Sequence, residues 1–224
     1  MNASITTARN DFNALISIPQ WAMEIINAVE KDGAFTRGIE SDRKQRGSAI
    51  NVDLYGYDTE QGLAVIQVRE ATFRPGRFTR VRKDYYLIGR TESGATFAHP
   101  VETPARSRKA LESPEATVAY VLAKIWDCRP QDLGDIERQG DVAFVPVTKI
   151  PEGAIPVQTP VTIRDTHVLT GDVWAYGSTF YTRRGARLVH SKRQHAPVKA
   201  KAGVYRVQPG IRAQNWGFTA PHGD

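Results

Sequence analysis

With 224 residues, 41% of them hydrophobic and 24% charged, the chain has the make-up of a folded globular protein, which excludes global disorder and collagen-like structure. A single cysteine, Cys128, excludes an intrachain disulfide framework. The formal charge of +6 is unevenly spread: residues 1–172 carry 21 Lys/Arg against 23 Asp/Glu, whereas residues 173–223 carry nine and no acid. All of the surplus therefore lies in the last quarter.

Residues 6–31 read as helical, because Phe12, Leu15, Ile16, Ala22, Ile25, Ile26 and Val29 recur at three- and four-residue steps. Pro19 divides the run and starts a second helix, since proline is tolerated at a first helical position but not inside. Asp32-Gly33 closes it. Residues 34–48 lack periodicity and read as an exposed loop.

From Ile50 to Val101 the pattern becomes one of strands. Asn51–Tyr57 and Leu63–Phe73 flank a polar turn at 58–62, Pro75-Gly76 carries the chemistry of a type II turn, and Tyr85–Arg90 returns through a turn at 91–94 to Ala95–His99. The result is an antiparallel meander. Between residues 69 and 90 it holds seven Lys/Arg and two acids, and alternation in Phe78–Lys83 places Arg80 and Arg82 on one face and Lys83 on the other.

Ser113-Pro114-Glu115 opens a connecting helix with a capping hydroxyl, a proline at the first position and an acid at the positive end of the dipole. Val118, Val121, Leu122, Ile125 and Trp126 give it an apolar face, and Arg129-Pro130 ends it. The region from Arg138 reads as β throughout, with strands at 142–147, 161–169, 173–176, 180–182, 188–190, 197–198 and 204–207. That spacing fits a sandwich or barrel-like module.

The sequence thus predicts an α+β protein with N-terminal helices, an antiparallel β meander, a connecting helix and a C-terminal β-sandwich or barrel-like module. Its divisions are 1–130, 131–207 and an extended tail at 208–224. Met1–Arg9 lacks the cationic start and apolar core of a signal peptide, and no run of about 18 apolar residues occurs. On that pattern the chain is expected in the cytoplasm, with no membrane partner.

Residues 138–207 resemble a group of uncharacterised bacterial and phage proteins. The resemblance rests on Gln139-Gly140-Asp141-Val142, a Pro-Glu-Gly turn at 151–153, His167-Val168-Leu169-Thr170-Gly171, His195-Ala196-Pro197-Val198 and Gly203-Val204-Tyr205-Arg206-Val207. It implies a compact β module and carries no established activity. Many members continue the Thr-Gly step with further histidines, where this chain has Asp172.

Within 173–223 the nine cations are interleaved with Trp174, Tyr176, Phe180, Tyr181, Tyr205, Trp216 and Phe218. Cations mixed with flat rings suit a polyanion that also offers bases to stack on. Arg80, Arg82, Lys83, Arg183, Arg184, Arg187, Lys192 and Arg193 are the candidate phosphate contacts, and Tyr85, Trp174 and Tyr181 the candidate stacking rings. The expected function is non-catalytic binding of DNA or RNA through the phosphate backbone, with little base specificity and no cofactor.

A rival reading places a divalent metal on His167, His190 and His195 inside a cupin-like β module, as in a metal-dependent enzyme. His190 and His195 are five apart, so a turn must intervene for them to share a face. A third reading is a phage-associated or other interaction protein whose basic surface meets an acidic protein. The chain contains no nucleophile elbow, phosphate loop or dinucleotide fingerprint. Oligomeric state is not legible in the sequence.

Overall fold

The structure is a computed structural model that describes residues 18–32, 38–41, 47–73, 80–91, 94–102, 112–193 and 195–211, with the side chains of 38–50 and 72–80 excepted. The helix expected before Pro19, the Pro75-Gly76 turn and the tail beyond Ile211 lie outside the described residues. The fold is α+β and mostly β, and among the described residues no helix is long and apolar enough to cross a membrane. Two units divide the chain inside the connecting helix, after Val121.

The first unit is built on a meander of β1 (Gly38–Ser41), β2 (Gly47–Asp58), β3 (Leu63–Phe73), β4 (Arg80–Arg90) and β5 (Thr96–Val101), antiparallel and in chain order. Strand β1 falls in the stretch read as a loop. It is four residues long and pairs Gly38–Ser41 with Gly47–Ile50, too short for a periodic signal.

Helix α1 (Gln20–Lys31) starts after Pro19, which takes the cap position rather than the first helical one. Its stripe of Ala22, Ile25, Ile26 and Val29 is buried against Val52, Leu54, Ala64, Ile66, Val68, Tyr86, Ile88 and Ala98. Ile25, Ile26 and Val29 each contribute about 1.5–3 kcal/mol on full burial. On the opposite face of the sheet a methyl at Gly56 would stand 2.5 Å from the Pro114 carbonyl oxygen and 2.6 Å from Thr117 Cβ. Only glycine admits that approach.

The connecting helix, α2 (Pro114–Trp126), opens as its sequence dictates: Ser113 Oγ accepts the Ala116 amide at 3.0 Å. It ends at Trp126, earlier than Arg129-Pro130, because Asp127 turns left-handed (φ 50°). The amides of Cys128 and Asp127 then bond back to the Ala123 and Lys124 carbonyls, closing the helix with the double bond pattern usually completed by glycine.

The second unit is a two-sheet sandwich. The larger sheet runs β6 (Glu137–Gln139), β7 (Val142–Val147), β15 (Val204–Pro209), β12 (Thr179–Arg183), β11 (Val173–Tyr176), β8 (Ile155–Val157). The smaller runs β14 (Val198–Lys199), β13 (Arg187–His190), β10 (His167–Thr170), β9 (Val161–Ile163). Val142, Phe144, Val173, Tyr205 and Val207 from the first meet Ile163, Leu169 and Leu188 from the second in one core.

The single strand expected over 161–169 is in fact two. Arg164 and Asp165 both have positive φ, 47° and 61°, an arrangement that costs non-glycine residues energy. The Arg164 guanidinium offsets that cost by holding Asp141 Oδ2 at 2.9 Å and the Gly210 carbonyl at 2.7 Å.

Candidate nucleic-acid interface

Strand β12 delivers Arg183 to the end of the larger sheet, and the Arg184-Gly185 turn (Gly185 φ 93°) hands the chain to β13 in the smaller one. Gly185 N–H donates to the Ala200 carbonyl at 3.1 Å and Ala200 N–H to the Ala186 carbonyl at 2.9 Å, which stitches the 199–201 segment to the same turn. Arg187 and Lys199 are direct partners in the β13–β14 ladder. Arg183, Arg184, Arg187 and Lys199 thus gather at one end of the sandwich, all exposed, and none of them forms an ion pair among the described residues.

Alternation decides what lies beside them. Phe180 and buried Thr182 face inward, the Thr182 hydroxyl donating to the Asp172 carbonyl at 2.7 Å, so Tyr181 and Arg183 face outward. Val173 belongs to the core and Trp174 therefore faces outward too. Trp174 stands directly opposite Tyr181 in the β11–β12 ladder, and the Arg183 guanidinium lies over the indole, 4.8 Å from its centroid. Both rings are half-buried. Three residues singled out in the sequence are therefore joined on one sheet face.

Other predicted contacts are not part of this group. Lys192 and Arg193 are exposed in the turn at the far end of β13, about 10 Å of strand away from Arg187. In the first unit Arg82 does not present a row of charge: its Nε is 3.0 Å from Asp84 Oδ2. Lys83 is exposed on the other face of the sheet, opposite Arg69 in the ladder. Arg80 opens β4, with its side chain outside the described residues. Tyr85 is not a stacking surface, being 9% exposed, its hydroxyl accepting a hydrogen bond from Gln67 Nε2 at 2.5 Å and its ring edge-on to Tyr55 at 5.3 Å.

The acid-free stretch also finds acids elsewhere in the chain. Arg206 forks onto the Asp127 carboxylate and the carbonyls of Trp126 and Asp127, and Lys201 pairs with Glu137, which raises the lysine pKa. Arg212 lies outside the described residues.

The three histidines do come together. His167 and His190 are ladder partners, and a turn with Arg193 at φ 55° brings His195 back to them. Ring centroids are 4.9 Å apart for His167–His190 and 5.4 Å for His190–His195, both edge-to-face.

Both nitrogens of His167 and Nδ1 of His190, however, are engaged by the protein. His167 Nε2 lies 3.1 Å from the Gln139 carbonyl, so it carries the proton, while Nδ1 lies 3.2 Å from the Thr166 hydroxyl. His190 Nδ1 accepts the Lys192 amide at 3.3 Å. Burial lowers the His167 pKa. A ligating imidazole needs a free lone pair directed at the ion, and among the described residues no group of three His, Cys, Asp or Glu side chains is so arranged.

The exposed cations at the β12–β13 end, with the outward Trp174 and Tyr181 beside them, therefore form the candidate site. No protein-family model matches the chain, and no match was found among the curated proteins or the solved structures.

Proposed function

We propose that the protein binds nucleic acid without catalysing a reaction, through contacts from the β12–β13 end of the sandwich to the phosphate backbone. One observation carries this reading: Arg183, Arg184, Arg187 and Lys199 are grouped, exposed and free of ion pairs among the described residues, whereas Arg82, Lys201 and Arg206 are neutralised by acids. Grouped cations of this kind release condensed counterions when they meet a polyanion, and that release supplies sequence-independent affinity.

The experiment is fluorescence anisotropy of labelled DNA and RNA from low to physiological salt. Four phosphate contacts give a log–log salt slope of about −3 to −4. Replacing Arg184 and Arg187 together by alanine is expected to reduce that slope by about half. Absence of binding to any DNA or RNA at low salt overturns the proposal.

A further inference from the structure

We infer that the outward face of β11 and β12 is a stacking platform that selects unpaired bases, so that the preferred polymer is single-stranded. This rests on the phosphate-contact reading above and adds to it what the rings contribute.

Trp174 and Tyr176 occupy alternate positions of β11 and face the same way, while Tyr181 and Arg183 do so on β12. The ladder sets Tyr176 opposite Thr179 and Trp174 opposite Tyr181. Along the strands there are thus three levels, each about 6.5 Å from the next: Tyr176, then the Trp174–Tyr181 pair, then Arg183, beyond which the turn carries Arg184. Tyr176 is 51% exposed, a large ring left in water without a core role.

A duplex presents only base edges in its grooves, and its base faces are covered by their neighbours. An unpaired strand can lay base faces on the rings while its phosphates reach the arginines at the end of the sheet. Stacking of this kind is tolerant of sequence, because every base has a π-face. The Arg183 guanidinium lies over the indole, so a base takes that face as Arg183 swings out to a phosphate.

The test uses three labelled probes of equal length and equal salt: an oligothymidylate, a duplex, and an abasic strand that keeps the phosphates. The wild type is expected to bind the oligothymidylate more tightly than either of the others. Trp174→Ala should weaken that binding by about 5- to 150-fold and narrow its margin over the abasic strand. Trp174→Phe, which keeps a ring and the packing, should retain most of it.

Equal affinity for all three probes, unchanged by Trp174→Ala, overturns the platform while leaving the phosphate reading intact. Absence of binding to every probe at low salt removes both.

Discussion

His167 and His190 stand directly opposite each other across the β10–β13 ladder, their rings 4.9 Å apart at 88° and each only 2% exposed. Burial lowers the His167 pKa, against the pull of Asp141, and the neighbouring His190 and His195 lower it further.

Folded His167 therefore refuses a proton that the unfolded chain accepts below about pH 6.5. Its contribution is intact above that pH and is lost as pH falls below it, by up to about 1.4 kcal/mol per pH unit per proton. The urea midpoint should be flat from pH 8 to 7 and drop toward pH 5, with a shallower drop in His167→Gln. Identical profiles for the two proteins count against this account.

Gly140 has φ 56°, and a methyl there would meet His195 Nε2 at 2.8 Å. Gly140→Ala should destabilise by about 1–2 kcal/mol for the left-handed backbone, with about 1–3 kcal/mol more for the clash. Adding His195→Ala should restore the second part and not the first. A denaturation double-mutant cycle with zero coupling rejects the clash.

Asp53 is 4% exposed, its Oδ1 has no hydrogen bond among the described residues, and the nearest guanidinium nitrogen of Arg69 is 4.0 Å from Oδ2. Burial raises its pKa against the pull of Arg69 and Lys83. The charged form is thus a cost to folding at neutral pH, one that fades as pH falls through the raised folded-state value. Asp53→Asn is expected to gain about 1 kcal/mol at pH 7, with the gain shrinking in acid. A loss at pH 7 shows instead that attraction to Arg69 and Lys83 outweighs desolvation.

Arg206 belongs to structure and not to the proposed interface. Its fork holds Asp127 at the left-handed end of α2, so Arg206→Ala should cost about 1.5–3 kcal/mol, the range for bonds to a charged group. Lysine cannot reproduce the fork. The salt slope of nucleic-acid binding should be unchanged, in contrast to Arg184→Ala with Arg187→Ala. A flattened slope places Arg206 among the phosphate contacts.

Local patterns settled much of this fold from the sequence alone. Alternation and turn residues located β2, β3, β4 and β5, and Ser113-Pro114 located the start of α2, because these signals depend on residues within a few positions of each other. Period two puts Tyr181 and Arg183 on one face of β12, and the core packing of Phe180 and burial of Thr182 in the structure make that face the outward one. Short elements escaped: β1, β6 and β8 are four, three and three residues long, two full alternations at most.

Tertiary structure alone decided which charges and rings remain available. Arg206 and Lys201 sit in an acid-free stretch yet meet Asp127 and Glu137 from far along the chain, since Coulombic pairing follows distance in space and not in sequence. Tyr85 reads as a surface ring and is buried by Gln67 and Tyr55. His195 returns to His190 only through Arg193 in a left-handed conformation that sequence periodicity does not encode. Composition put the positive charge in the last quarter; the fold grouped at the β12–β13 end four cations that have no acid partner among the described residues, whereas each of the others named here is held by a carboxylate, lies elsewhere in the chain or falls outside the described residues.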